Sequence, residues 1–438
     1  MGIYKECDIR GIYPSDLDEQ QAYNIGRAVG TLMKGKTLVV GGDVRLSTPS
    51  LKKMLQNGLR ESGADIIDIG TVPTPVFYFS LKRLSADGGV MVTASHNPAK
   101  YNGFKLMLGE TPITADVIKN IEKLVKAQNY STGDGEQREV CTQEDYIKSI
   151  TETFNKGKLK VVLDCCNGVT GYLAPLLFNK LGYETIGMYT EFDGSFPNRD
   201  PNPSVYENLS ALKKEVVRTR ADFGVAFDGD GDRVVFVDNM GKVIESERTF
   251  AIFIKEYLKY EPSNIVFDIK SSSVVHDTVV ELGGTPLMER SGHTFIKRRF
   301  LESEAALAGE ISGHFFFKEL GYDDGIFAAL KLAEIIGNKG DLSKLADEIP
   351  KTIITPDIRI HCSYNERDNW LNRVSEAGQQ YKITLMDGVR VEFPKGWLLM
   401  RKSVTEESIT LRIEAKDETI LEEIKGWILK VIPEIKIE

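Results

Sequence analysis

Cysteine is scarce and poorly spaced in this chain. Its five residues, Cys7, Cys141, Cys165, Cys166 and Cys362, are scattered and contain no CxxC pair. That argues against a disulfide framework or a structural zinc site, and for a reducing compartment, the cytoplasm. Long apolar runs are absent as well. No stretch reaches the length a membrane-spanning helix needs, and Met1-Gly2-Ile3-Tyr4-Lys5-Glu6 carries no apolar signal region. An excess of positive charge is also missing: 55 Lys and Arg stand against 64 Asp and Glu, for a net charge of -9. A general nucleic-acid binder would show the opposite balance. The balance still allows a small anionic substrate held by a local cluster of cations.

What is present is enough chain for about two to four domains: 438 residues, 42% of them hydrophobic. A strand–helix–strand pattern recurs along it. A helix over Glu19 to Met33 precedes the strand Leu38 to Asp43. Ser47 or Thr48 then caps a helix with Pro49 near its start, and strands follow at Ile66–Ile69 and Gly89–Val92. The pattern returns with strands at Leu159–Asp164, Tyr183–Met188 and Phe223–Phe227, and again at Ile265–Asp268, Pro286–Met288 and Ala305–Ala308. These read as diverged copies of one α/β unit of about 100 residues. The corresponding strand ends at Ser95 in the first copy, Asp228 in the second and Glu310 in the third. Ligands bind beyond the carboxyl ends of strands in open α/β sheets, so the loops should face one another. After Thr352 the chain changes to short strands around a helix near Arg367 to Ala377, with a closing helix from Glu418: a separate α+β domain. The expected divisions are 1–145, 146–245, 246–352 and 353–438.

Four motifs carry chemistry. Thr93-Ala94-Ser95-His96-Asn97-Pro98 ends a buried strand in a constrained loop, because Pro98 keeps Asn97 out of the helical region. It presents a serine hydroxyl, a weak nucleophile that needs a base or a metal. No GxSxG setting surrounds it, which argues against a hydrolase. In Asp228-Gly229-Asp230-Gly231-Asp232-Arg233 the glycines let the backbone curl and three carboxylates converge, which suits Mg²⁺. A calcium EF-hand loop does not fit, since Arg233 stands at the turn glycine and Asn239 at the bidentate Glu. Gly309-Glu310-Ile311-Ser312-Gly313-His314 offers three side chains that can bind vicinal hydroxyls. Arg401-Lys402-Ser403-Val404-Thr405-Glu406 joins a cation to two hydroxyls, a phosphate cradle. Lys297-Arg298-Arg299 reads as the solvated face of a helix, and Trp397 as part of the last domain's core or rim.

These motifs, in this order, resemble the α-D-phosphohexomutases, and most closely the bacterial phosphomannomutase/phosphoglucomutase group. The resemblance covers essentially the whole chain, including Leu411-Arg412-Ile413-Glu414-Ala415. Asp387-Gly388-Val389-Arg390-Val391 with Lys395-Gly396-Trp397 favours the mannose/glucose group over the glucosamine group. It implies three similar α/β domains with mixed sheets plus a C-terminal α+β domain around a central cleft. Ser95 would be the phosphorylated serine, completing a metal site with Asp228, Asp230 and Asp232. Lys105, Arg10 and Arg233 would surround the transferring phosphoryl. Glu310, Ser312 and His314 would read sugar hydroxyls, with His314 the candidate base. Lys270 and His293 would face the substrate, and Arg401, Ser403 and Thr405 would clamp its other phosphate. Two positions depart from the family pattern: Val404 replaces Asn or Gly, and Glu407 replaces Pro.

The implied reaction interconverts hexose 6-phosphate and hexose 1-phosphate through a phosphoserine and a 1,6-bisphosphate. Its cofactor would be Mg²⁺, with hexose 1,6-bisphosphate as activator. Mannose and glucose phosphates would be the partners, with no nucleic acid or membrane, in a monomer or small homo-oligomer. The last domain would swing to close the cleft. The alternatives are a phosphoglucosamine mutase and a non-catalytic sugar-phosphate-binding relative.

Overall fold

The apolar strands Gly88–Val92, Phe223–Phe227 and Leu307–Gly309 are buried along their whole length. Such strands must lie inside a sheet covered on both faces. That is their place in the computed structural model, which describes residues 2–402 and 407–437. Each is the third of its unit's parallel strands in chain order, and the three units share one topology. In the first, Thr37–Gly42 pairs in parallel with Asp65–Thr71 and Gly88–Val92, and Gly88–Val92 pairs antiparallel with Tyr101–Leu108. In the second, Lys160–Asp164 lies parallel between Glu184–Met188 and Phe223–Phe227, and Val234–Asp238 runs back antiparallel. In the third, Asn264–Asp268 lies parallel between Thr285–Glu289 and Leu307–Gly309, and Phe315–Phe317 runs back. Each turn from the parallel strand into the antiparallel one therefore sits at the carboxyl end of its sheet. These turns hold Ser95, the aspartate loop and Glu310.

The first sheet is widened by Ile9–Ile12, Thr111–Pro112 and Gln137–Glu139. One hydrophobic core runs through all three units, from Val39 and Phe77 through Phe178 and Phe227 to Phe317 and Ile336. The helix Gln143–Thr153 crosses the division expected at residue 145; its Tyr146 is buried in that core, and the hydroxyl donates to Asp324 at 2.7 Å.

The fourth unit is an antiparallel sheet ordered Ile353–Ile354, Ser408–Ala415, Gly396–Lys402, Val389–Phe393, Lys382–Thr384, with Ile358–His361 also on Ser408–Ala415. Its helix begins at Tyr364 rather than near Arg367, because Ser363 and Glu366 cap each other's backbone reciprocally. Its core is its own. The contact with the third unit is a polar socket. Glu414, buried, accepts hydrogen bonds from Ser272 Oγ (2.7 Å), Ser273 N (2.8 Å) and Trp397 Nε1. The Arg390 guanidinium lies 4.0 Å from the Trp397 ring centroid and donates to the carbonyls of Ile269 and Ser271. Of the two places expected for Trp397, the rim of its domain is the one it takes: it fills the contact between units, with Ile269 and Leu399.

Two local expectations are corrected. Ser47 stands at the N-cap of the helix Thr48–Glu61, but neither hydroxyl caps it. Asn102 Nδ2 donates to Ser47 Oγ (2.8 Å), and Thr48 Oγ1 donates to Asp43 (2.7 Å), so both serve the strand ends instead. Lys297 is not on a solvated face. It is buried with its Nζ 3.5 Å from the Tyr78 ring centroid, because its helix packs this side against the first unit. Burial pulls its amine down to about 8. Among the described residues, no helix is long and apolar enough to cross a membrane.

Candidate active site

Ser95 leaves its strand in the left-handed region, with φ 49°. For a residue with a Cβ this conformation costs about 1–3 kcal/mol and persists only where the surroundings impose it. Here Arg45 imposes it. Its guanidinium donates to the carbonyls of Ser95 (2.8 Å), Asn97 (2.6 Å), Pro98 (2.8 Å) and Tyr101 (3.0 Å). The side chain is fully buried and pairs with Asp43 at 3.1 Å. Asp43 in turn accepts from Thr93 Oγ1 at 2.8 Å, and Thr93 Oγ1 accepts from Ser95 N at 2.9 Å. Sequence reading missed Arg45. An arginine two residues after an aspartate at a strand's end carries no period that marks it.

The second loop meets the first directly. A Cβ at Gly229 would stand 2.7 Å from the Ser95 carbonyl oxygen, so only glycine allows the approach. Ser95 Oγ donates to Asp228 Oδ2 at 2.6 Å. Asp230 Oδ2 accepts from Thr74 Oγ1 (2.7 Å) and Lys105 Nζ (2.8 Å), and Lys105 also bonds Asp232. All three carboxylates are fully buried. Burial and the charges of Asp230 and Asp232 push the Asp228 carboxyl well up. Burial acts the same way on Asp230, but Lys105 outweighs it and holds that carboxyl below the usual range.

One lysine does not compensate three buried carboxylates. Asp230 Oδ1 and Asp232 Oδ1 are buried and have no hydrogen-bond partner. Ligand oxygens of Asp228, Asp230 and Asp232 lie within 4.8 Å of one another. Orphaned hard oxygens on converged carboxylates fit a small divalent cation such as Mg²⁺.

The third loop is joined to the second. Val234 N donates to the Gly313 carbonyl at 3.0 Å, and Arg233 Nε donates to His314 Nε2 at 2.9 Å. His314 Nδ1 lies 2.6 Å from Asp323 Oδ2, and His293 Nε2 lies 3.2 Å from Asp323 Oδ1. Asp323 is fully buried and was missed in the sequence, because an Asp-Asp pair ahead of a helix reads first as an N-cap. Its neighbour Asp324 does cap the helix Gly325–Lys339.

A cavity of about 220 Å³ gathers seven of the candidates: Arg10, Ser95, Lys105, Arg233, His293, Glu310 and His314 line it. Arg10 also pairs with Asp8 at 2.5 Å. Ser312 lines a neighbouring cavity of about 680 Å³, which Arg233 and Arg412 share. Lys270 lines neither cavity; its Nζ bonds Asp357 at 2.6 Å. Arg401 pairs with Asp387 at 2.6 Å. Ser403, Val404 and Thr405 lie outside the described residues. Glu407 is exposed, and its carbonyl accepts from Cys362 N.

Comparison with known proteins agrees with this geometry. Three family descriptions match successive parts of the chain: phosphoglucomutase/phosphomannomutase alpha/beta/alpha domain I over residues 2–131, domain II over 144–241 and domain III over 245–353. The chain is 39% identical to a phosphomannomutase/phosphoglucomutase of Pseudomonas syringae pv. tomato, covering 99% of this chain and 97% of that one. It is 36% identical to a phosphoglucomutase of Neisseria gonorrhoeae, covering 98% and 96%. A crystal structure of a phosphoglucomutase/phosphomannomutase family protein from Burkholderia thailandensis superposes with a TM-score of 0.93 at 36% identity, covering 99% of this chain and 98% of that one. The chain belongs to the phosphoglucomutase/phosphomannomutase family, that of the α-D-phosphohexomutases.

Proposed function

We propose that Ser95 is the residue that carries the phosphoryl group in this isomerase, which interconverts hexose 6-phosphate and hexose 1-phosphate. The observation that supports it is the 2.6 Å hydrogen bond from Ser95 Oγ to Asp228, at the edge of a carboxylate trio with orphaned oxygens. Asp228, Asp230, Asp232 and the phosphate on Ser95 would hold Mg²⁺, which when bound supplies Lewis-acid stabilisation of the transferring charge.

The chain's own residues do the rest. Phosphoserine 95 gives its phosphoryl to the free hydroxyl of the hexose phosphate, the bisphosphate turns end for end, and the other phosphate returns to Ser95. Little covalent work falls to the protein in such a transfer; positioning and charge dominate. Lys105, Arg10 and Arg233 neutralise the phosphoryl oxygens. His314 Nε2 takes the hydroxyl proton. Glu310, Ser312, Lys270 and His293 read the sugar, and Arg401 with Ser403 and Thr405 holds the far phosphate. For this the sugar must displace Asp357 from Lys270, and the far phosphate must displace Asp387 from Arg401. The domain divisions at 245 and 352 follow the same reading, the first division falls ahead of the helix Gln143–Thr153 rather than at 145, and the last domain closes over the cleft to exclude water. The enzyme works in the cytoplasm.

Mannose and glucose phosphates are the proposed substrates. Initial rates on mannose, glucose and glucosamine 1-phosphates, with Mg²⁺ and catalytic glucose 1,6-bisphosphate, test this. The expected result is turnover of the mannose and glucose compounds well above that of glucosamine, abolished by a chelator and restored by Mg²⁺. A preference for glucosamine 1-phosphate would make the chain a phosphoglucosamine mutase, and metal binding without turnover on any of the three would make it a non-catalytic relative.

A further inference from the structure

The His314 imidazole sits between two groups of fixed hydrogen-bonding sense. Arginine has donors only, so the contact of Arg233 Nε with His314 Nε2 at 2.9 Å requires a lone pair on Nε2. The ring proton is then on Nδ1, where Asp323 Oδ2 accepts it at 2.6 Å. We infer that Asp323 is a positioning residue for phosphoryl transfer, holding His314 in the tautomer whose lone pair faces the catalytic cavity. The inference rests on the assignment of His314 as proton acceptor.

The surroundings make Asp323 a rigid post. It lies on the strand Tyr322–Asp323, paired with Phe316, and its own side chain is fully buried. The next residue, Asp324, accepts from Ile326 N (2.9 Å) and Phe327 N (3.0 Å) and from the Tyr146 hydroxyl, which pins the backbone at the helix start. The other oxygen of Asp323 faces His293 Nε2 at 3.2 Å, and Tyr78 Oη lies 3.3 Å from that nitrogen. One carboxylate thus spans the two histidines that line the cavity.

During transfer the sugar oxygen loses its proton to Nε2 as its bond to phosphorus forms and the Ser95 Oγ–P bond breaks. The imidazolium formed donates to Asp323 through Nδ1, and the carboxylate stabilises its charge. The imidazolium then gives that proton to the departing Ser95 oxygen in the same half-reaction, so the ring returns to its resting form and no proton is gained or lost overall. Arg233 covers the lone pair at rest, and a substrate phosphate drawing the guanidinium toward itself uncovers it.

The test compares Asp323→Leu, which offers no acceptor, Asp323→Asn, which keeps the shape without the charge, His314→Asn, and the double variant Asp323→Leu/His314→Asn. The expected result is a kcat lowered by about 10²–10⁴-fold in each, as for loss of general acid–base catalysis. KM should stay nearly unchanged, and the double variant should be no worse than His314→Asn. With a hexose phosphate bound, so that Arg233 is drawn off Nε2, nitrogen-15 NMR of the Leu variant should show His314 divided between tautomers, against Nδ1–H alone in the unmodified protein. If the Leu variant fails to fold, the Asn variant carries the kinetic comparison. Wild-type kcat in a folded Asp323 variant, or losses that multiply in the double variant, would overturn the role of Asp323. Wild-type kcat in His314→Asn would instead overturn the assignment of the acceptor.

Discussion

Ser95→Ala yields a protein with no covalent phosphate by intact mass and a turnover lower by on the order of 10⁶-fold, the scale of losing a catalytic nucleophile. The fold should survive. The Arg45 bonds that hold the loop reach backbone carbonyls, which alanine keeps. The lost hydroxyl removes one donor from Asp228 Oδ2, while Gly231 N (2.8 Å) and Arg233 N (3.2 Å) still serve Oδ1. Alanine meets the same left-handed φ as serine, so no new strain arises. A folded, metal-binding, inactive variant is therefore expected. Wild-type turnover in Ser95→Ala would end the phosphoserine mechanism.

Arg45→Met should destabilise the first unit by about 3–5 kcal/mol, the cost of leaving one member of a buried ion pair alone. Asp43 would remain fully buried, where desolvation already pushes its carboxyl up and Arg45 opposes that shift. The carbonyls of Ser95, Asn97, Pro98 and Tyr101 would lose their common donor as well. Activity should fall with stability, because the guanidinium that ties together the carbonyls of Ser95, Asn97, Pro98 and Tyr101 would be gone. Arg45→Lys restores charge but not the planar fork that reaches several carbonyls, so it should recover stability only in part. Denaturant unfolding followed alongside kcat separates the two effects. A change below about 1 kcal/mol in Arg45→Met would mean that the loop holds itself.

The three strand ends are legible in the sequence because each is a buried apolar run that stops at a chemically active residue. The triplicate topology follows from that same run: a strand buried on both faces belongs inside a sheet, here between a parallel neighbour and the strand that returns antiparallel after the sharp turn. What is not legible is the wiring between loops. Arg45 and Asp323 act through contacts 50 and 9 residues away in the chain, at positions with no periodic mark. Lys297 reads as solvated because charge runs usually are; burial under Tyr78 is a property of how two units pack, which no local pattern encodes. Trp397 is a similar case, since its partners Ile269 and Glu414 belong to the interface between units. Lys270 and Arg401 face acidic partners, Asp357 and Asp387, that spacing alone does not pair with them.

The most direct measurement follows one labelled phosphoryl group. The protein is charged with radiolabelled glucose 1,6-bisphosphate, digested and mapped, and a second portion is chased with unlabelled hexose phosphate. The account expects the label on the peptide containing Ser95, and its transfer on chase into hexose phosphate at rates that match turnover. Label on any other residue, or label on Ser95 that hexose phosphate does not remove, would contradict it.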